Sequence, residues 1–304
     1  MPKVSVVICT YNRVQHIQKS IDALIQQTAD KQNYELIIVD NNSTDGTTQK
    51  ILESMIGIVS PNIRYHKEEK QGLSHARNAG IALAQGHIVS FIDDDAIAKP
   101  DFIQVLILFF ESHSSASAVG GQVIPMFLNG EPEWMSSWTR KVVSEIDFGS
   151  ETILLDKRYP FGANMSMRNN IFTKYGVFDP NLGRTGKNLM GGEEKDLFDR
   201  LRKGKEEIWY EPKLYVDHII EESRLTQEFI MRFCRGVGRS ERVRLEERGV
   251  YAVWKKYLVN KVKRAGSLML GLKYISAGQP AKGKMIMDIM RWIEEGYNNP
   301  NINI

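Results

Sequence analysis

Residues 87–95 read HIVSFIDDD. β-Branched and aromatic residues run together and stop on Asp93, Asp94 and Asp95. This predicts a buried strand with a carboxylate cluster at its carboxyl end. Pro100 suits a first helical turn, and a helix follows to about residue 112. Working back toward the N-terminus, the same unit repeats. Residues 4–10 (VSVVICT) read as a buried strand, and Val14, Ile17, Ile21, Leu24 and Ile25 then fall at helical spacing. Residues 35–40 (ELIIVD) form a second strand, residues 41–46 (NNSTDG) a turn with helix-start residues, and a helix reaches about residue 55. A short strand over 63–66 and a helix over 73–84 complete the series. Such alternation predicts an α/β fold, a mostly parallel, doubly wound, Rossmann-like sheet flanked by helices. Ligands of such sheets bind at the carboxyl ends of the strands. Thr10, Asp40 and the three aspartates all end predicted strands, so one cleft could collect them.

The middle is less regular. Residues 129–149 carry Trp134 and Trp138 with few strand signals, and read as a long loop or short helical excursion of the kind that forms lids. A strand is expected over 161–167 and a helix over 193–202. From residue 225 the pattern is helical nearly to the end.

Composition narrows the class. Of 304 residues, 42% are hydrophobic and 25% charged, which excludes a disordered tail, a collagen-like repeat and a disulfide scaffold. The net charge of +3 argues against a dedicated nucleic-acid binder. Cys9 and Cys234, far apart in sequence, are expected to be reduced thiols of a cytoplasmic protein. The N-terminal MPKVSVVICTYNR lacks the apolar core of a signal peptide. The longest uninterrupted apolar stretch is 105–110, whereas a spanning helix needs about 18 apolar residues. The expectation is a cytoplasmic protein, with peripheral contact at the inner face of the membrane left open.

Several motifs carry chemistry. Three adjacent carboxylates repel one another unless a cation or hydrogen bonds offset them, and hard oxygen ligands suit Mg²⁺ or Mn²⁺. The alternative is a solvated acidic turn that caps the next helix. Residues 191–197 (GGEEKDL) put two flexible glycines before acids that either meet a ligand or favour a helix N-terminus. Thr10, Tyr11 and Arg13 bring an aromatic ring and a cation to the lip of the sheet. Asp40 could accept a hydrogen bond from a base or ribose, or cap a helix. Arg77, in GLSHARNAG, reads as a phosphate contact or a surface salt bridge.

Taken together and in order, VSVVICTYNR, ELIIVDNNSTDGT, GLSHARNAGI, FIDDDAIAKPDF, FGANMSM and FDPNLGRTGKNLMGGEEKDLFDRL resemble the family 2 glycosyltransferases of GT-A fold, over about residues 3–220. The resemblance implies transfer of a sugar from a nucleotide-sugar donor to an acceptor hydroxyl, by a single inverting displacement assisted by Mn²⁺ or Mg²⁺. A UDP-sugar is favoured, with GDP- or dTDP-sugars second, in bacterial-type polysaccharide or glycoconjugate assembly. It matches Thr10, Tyr11 and Arg13 to the nucleotide-binding lip and Asp40 to the carboxylate facing the base. Asn42 and Asp45 fall beside base and ribose, and Arg77 near the pyrophosphate. Asp93, Asp94 and Asp95 match the DxD region, with Asp93 and Asp95 on the metal and the preceding acids on ribose or metal. His218, in LYVDH, is expected to follow the last strand-like run and is a further metal ligand by the same resemblance, and Asn164 lines the donor-sugar pocket.

The family pattern has Glu-Asp where this chain has Glu193-Glu194. Glu194 aligns with the base but is one methylene longer. Glu193 would bond the acceptor, and Asp196 is the alternative base. Trp134 and Trp138 are either an acceptor platform or core. A non-catalytic carbohydrate-binding protein on the same fold is the reading from another class, against which the intact acids argue.

Residues 1–220 form the expected catalytic domain and 221–304 a basic helical extension. The extension holds 16 Lys+Arg against 9 Asp+Glu, the remainder 24 against 28. Arg232, Arg235, Arg239, Arg242 and Arg244, then Lys255, Lys256, Lys261, Lys263 and Arg264, suit either an anionic membrane surface or an ordinary solvated face. The partners expected are thus a nucleotide sugar and a glycan or lipid-linked acceptor, with no nucleic acid.

Overall fold

The computed structural model describes residues 1–186 and 188–299. Lys187 of the quoted motif and residues 300–304 of the expected extension lie outside the described residues. The chain divides into two units. The first comprises Met1–Met126, Ser144–Pro180 and Glu193–Ile219, the second Phe127–Val143, Asn181–Gly192 and Ile220–Ile304.

The first unit carries strands β1 (Val4–Thr10), β2 (Tyr34–Asp40), β3 (Asn62–Lys67), β4 (Ile88–Phe91), β5 (Ala96–Ala98), β6 (Ala116–Phe127), β7 (Ile153–Leu154), β8 (Met165–Arg168) and β9 (Glu207–Ile220). They form one mixed sheet in the order β3-β2-β1-β4-β8-β6-β9-β5, with β7 on β9. β3, β2, β1 and β4 are mutually parallel, and the pairs β4–β8, β8–β6 and β9–β5 are antiparallel. Every residue of β2 is buried, which is why it reads as an uninterrupted apolar run. The register pairs Thr10 with Asp40 and Val7 with Phe91. Thr10 and Asp40 therefore end adjacent strands, and the aspartate triplet leaves the sheet one strand over.

Helices α1 (Ile17–Ile25), α2 (Thr47–Met55), α3 (Leu73–Leu83), α4 (Phe102–Ser112), α5 (Asn170–Tyr175) and α6 (Glu193–Lys203) flank the sheet. α3 lies on β1 and β2. A Cβ at Gly80 would fall 2.3 Å from Val7 Cγ1, so only glycine lets α3 come this close and carry Arg77 down against the sheet.

Two expectations need correction. Residues 161–167 are not one strand: a 3-10 turn over Gly162–Asn164 precedes β8, because the Gly162 backbone turns to donate to a side chain of α6. His218 does not follow the last strand but lies within β9, whose internal Pro212 disguises a 14-residue strand.

The second unit contains α7 (Gln227–Glu246), α8 (Val250–Ser276) and α9 (Pro280–Asn298). Its core gathers Ile230, Cys234, Met285, Ile289 and Trp292, with Trp134, Trp138 and Val142 packed against them. The 129–149 segment is irregular as expected, with a 3-10 turn over Thr139–Val143.

Candidate active site

The lip of β1 and β2 is assembled by backbone turns. Asn12 and Asn42 hold left-handed conformations, φ +53° and +65°, which asparagine tolerates. The amide of Asn12 donates to Ser43 Oγ (3.0 Å), and Asn12 Oδ1 accepts from the Thr44 amide (2.8 Å). Asp40 is fully buried. Its Oδ1 accepts from the Ser43 amide at 2.9 Å, and its Oδ2 from the Thr48 hydroxyl and from Tyr65 OH at 3.4 Å. Asp45 takes the amides of Val14 (3.2 Å) and Thr47 (3.0 Å) and the Thr47 hydroxyl (2.5 Å). Burial alone would raise this carboxyl, but the hydrogen bonds from Thr47 and Val14 outweigh it and lower it. Asp45 thus pins the turn, while Tyr11 and Asn42 are exposed.

Beyond β4 the aspartates meet β9. The pairing of β5 with β9 sets Ala96 opposite His218, and the Ile219 amide donates to Asp95 O at 2.8 Å. His218 Nε2 lies 3.0 Å from Asp95 Oδ1, and both side chains are buried. One ligand atom each from Asp93, Asp95 and His218 falls within 4.8 Å of the other two. Two hard carboxylates and an imidazole form a donor set that suits Mn²⁺ and also accepts Mg²⁺. Arg13 stands at the other side of the cluster, Nε 3.8 Å from Asp94 Oδ1 and one Nη 3.7 Å from Asp95 Oδ2. Burial and the neighbouring Asp95 push the Asp94 carboxyl up to about 7, against the pull of Arg13.

The second acidic group starts α6. Arg77 Nη1 donates to Glu193 Oε1 (2.9 Å), and Nη2 donates to Glu194 Oε1 (3.0 Å). The guanidinium is buried between the rings of Phe91 and Phe178, 5.9 and 5.3 Å from their centroids. The Gly162 amide also donates to Glu194 Oε1, at 2.9 Å. A Cβ at 162 would sit 1.9 Å from Arg77 Nη2, so any side chain here must displace the guanidinium. Burial raises the Glu194 carboxyl to about 7, with Arg77 opposing and Glu193 and Asp93 adding to the rise. The field of Asp93 reaches both Arg77 and Glu194, so the two acidic groups share one locality. Glu193 Oε2 is buried and has no hydrogen-bond partner among the described residues.

The sequence reading left Arg77 as a phosphate contact or a surface salt bridge, with the resemblance setting it near the pyrophosphate. In the structure its two Nη atoms pair with the acids of α6, and the guanidinium is buried rather than at the surface. Asp196 pairs with Arg200 at 2.9 Å, and Arg200 in turn donates to the carbonyls of Tyr175 and Val177. Asn164 is fully buried, its amide nitrogen donating to Gln122 O (3.2 Å) and Leu214 O (2.8 Å). Trp134 and Trp138 pack on the core of the second unit. Cys9 and Cys234 are free thiols that burial pushes up to about 12, so neither offers a thiolate nucleophile.

Gly162 and Asn41 escaped the sequence reading. Asn41 donates to the carbonyls of Glu68 (3.1 Å) and Lys70 (2.8 Å) and accepts from the Gly72 amide (2.7 Å), which ties β2 to the start of α3. Only its place directly after Asp40 hinted at this.

The family model described as "Glycosyl transferase family 2" matches residues 5–176. Glucosyl-dolichyl phosphate glucuronosyltransferase of Haloferax volcanii is 29% identical over 246 residues, covering 79% of this chain and 77% of that protein. Validoxylamine A glucosyltransferase of Streptomyces hygroscopicus is 31% identical over 225 residues, covering 66% of this chain and 51% of that protein. Among solved structures, the mannosyltransferase PcManGT from Pyrobaculum calidifontis, in complex with GDP-Man and Mn²⁺, has a TM-score of 0.66 at 14% identity, covering 98% of this chain and 86% of that one. S. aureus TarS has a TM-score of 0.52 at 18% identity, and the match covers 76% of this chain and 39% of TarS. At such identities the structural likeness speaks for the fold.

Proposed function

Because the chain belongs to glycosyl transferase family 2 and has the GT-A fold, we propose that it is an inverting, cation-assisted transferase that moves a sugar from a UDP-sugar to a hydroxyl of a lipid-linked glycan. One observation carries the mechanism. A half-buried carboxylate raised toward neutrality, Glu194, shares a locality with a hard-donor cluster at the carboxyl ends of the strands.

Glu194 accepts the proton of the attacking hydroxyl, and a base poised near neutral pH is suited to that transfer. Arg77 and the Gly162 amide fix its carboxylate, leaving Oε2 toward the acceptor. Glu193 hydrogen-bonds the same acceptor sugar through Oε2, a buried atom with no partner among the described residues. A single displacement needs one base and no covalent nucleophile, and the high pKa values of the two thiols agree with that. Asp93, Asp95 and His218 would hold the divalent cation, which when bound offsets the negative charge gathering on the nucleoside diphosphate as it leaves. Thr10, Tyr11 and Arg13 form the lip for the nucleotide, and Asp40 holds the loop against which the base rests.

The glucuronosyltransferase relative, by its name, acts on a glucosyl-dolichyl phosphate, which supports an acceptor carried on a polyprenyl phosphate. The test is a screen of UDP-, GDP- and dTDP-sugars against polyprenyl-phosphate glycans, with Mn²⁺, with Mg²⁺ and with EDTA, reading the anomeric configuration of the product by NMR. Transfer from a UDP-sugar with inversion is expected. Retention of configuration, or transfer unaffected by EDTA, would overturn the mechanism. Preference for another nucleotide would overturn the donor assignment alone.

A further inference from the structure

Helix α8 is built inside out. The residues it buries are Asn260, Ser267 and Gly271, small or polar side chains at helical spacing. A Cβ at Gly271 would stand 2.8 Å from Gly283 O of α9, so the two helices meet along a narrow seam. The opposite side of α8 is large and apolar. Tyr251, Trp254, Leu258, Val262, Met269 and Leu272 follow one another at three-, four- and seven-residue intervals and so share one face. Trp254 is 57% exposed, Val262 73% and Met269 69%. Such a face exceeds the scattered apolar residues of an ordinary surface.

The charge on this helix has one sign. Its 27 residues include six Lys or Arg and no Asp or Glu. Lys255, Lys263 and Lys273 are exposed, and Lys255 and Lys273 lie along one border of the apolar stripe. Tyr251, Trp254 and Tyr257 cluster in its first turns, where ring and polar atom together suit the boundary between hydrocarbon and water. The basic residues of α7 are differently disposed. Arg235 pairs with Glu295, Arg242 with Glu246, and Arg244 with Glu241, at 2.6–3.0 Å. The surface expected to be basic along α7 is thus largely neutralised within the protein; on α8, Lys256 pairs with Glu241 and Lys261 and Arg264 with Glu294, which leaves the apolar face bordered by Lys255 and Lys273, with Lys263 also exposed. No helix among the described residues is long and apolar enough to cross a membrane.

We propose that α8 lies along an anionic bilayer, its apolar face among the outer methylenes and its lysines on lipid phosphates. A helix of this length presents about 40 Å of such surface. Apolar burial supplies the attachment, and the absence of acids selects anionic over zwitterionic lipid. This inference stands apart from the transfer reaction, because binding is measured on the full chain with neither donor nor acceptor.

The experiment is flotation with phosphatidylcholine vesicles prepared with and without phosphatidylglycerol. The protein is expected to float with the anionic vesicles, less so in high salt, and its tryptophan emission to shift to shorter wavelength. The shift should be absent in Trp254→Phe. The double variant Leu258→Glu, Met269→Glu should lose on the order of tenfold or more in vesicle partition, with an unchanged melting temperature. Equal flotation of that variant and the parent, or no flotation of either, overturns the proposal. So does a parent that is dimeric by light scattering, fails to float, and becomes monomeric in the double variant, for then a second copy covers the face.

Discussion

Arg77 and Glu194, 117 residues apart in sequence, meet through a hydrogen bond of 3.0 Å beneath the first turn of α6. The pair joins a helix that rests on β1 to the helix that carries the proposed base. Burial raises Glu194 and Arg77 lowers it, and the balance leaves the carboxyl at about 7. The same guanidinium holds Glu193, so one cation fixes both acids.

A base must be deprotonated to work. kcat/KM should therefore climb as pH rises through about 7, tenfold per pH unit on the acid side, and level off above it. Glu194→Gln should lose about 10²–10⁴-fold in kcat while nucleotide binding by calorimetry stays near that of the parent. Turnover close to the parent's would remove Glu194 from the role.

Arg77→Met leaves the buried Glu193 and the half-buried Glu194 without their cation. Breaking a buried pair in this way costs about 3–5 kcal/mol, read as a fall in the urea midpoint. Since Arg77 opposes the rise of Glu194, residual activity should shift its acid limb to higher pH. An unchanged midpoint and limb would mean that the pair contributes to neither.

The cation site is open to direct titration. Loss of an outer partner alone typically weakens a metal site by about 10–100-fold, so Asp95→Asn or His218→Ala should weaken Mn²⁺ binding by at least that much. Calorimetry or the Mn²⁺ spin-resonance signal reads this without turnover. Chelation should silence transfer and added Mn²⁺ restore it.

Gly162→Ala would bring a methyl to 1.9 Å from Arg77 Nη2 and 2.5 Å from Glu194 Oε1. Something must move, and a displacement of about 1 Å at a catalytic group costs on the order of 10²-fold in rate. The loss should fall on kcat more than on donor affinity. Full activity in this variant would show that the turn is more compliant than it looks.

Far from the cleft, Glu206 accepts from Lys174 (2.7 Å), Tyr175 (2.6 Å) and Ser117. Burial raises its carboxyl, but those hydrogen bonds outweigh it and hold it at about 2, below the ordinary 4.5. Its stabilisation is therefore present above pH 4.5 and is lost as pH falls toward 2. Glu206→Gln should cost about 1–3 kcal/mol at pH 7 in chemical denaturation, and progressively less as the acid range is entered. A cost that does not vary with pH would count against this account.

The parallel half of the sheet was legible because β1, β2 and β4 are buried on both faces and so spell apolar runs ending in polar residues. The antiparallel half was not. β5 is only three residues long, β6 contains Gly120, Gly121 and Pro125, and β9 contains Pro212, so each lacks a clean alternation. Asp93, Asp95 and His218 could be proposed together by resemblance, but their proximity follows from a ladder between β5 and β9 that no local pattern announces. Arg77 shows a different limit. A cation near a sheet edge reads equally as a phosphate contact or a salt bridge, and only the tertiary structure names the two carboxylates it pairs with.

That ladder has a consequence for how the protein can diversify. Asp95 and His218 are separated by 123 positions, yet the short β5–β9 ladder and the Ile219-to-Asp95 backbone bond bring them side by side. The intervening chain can be lengthened, trimmed or exchanged at its loops without retuning the cation, provided the register of three residue pairs survives. On the proposed mechanism, leaving-group activation and acceptor choice would then be separable traits, and transplanting loops between relatives should alter what is glycosylated before it alters whether the metal binds.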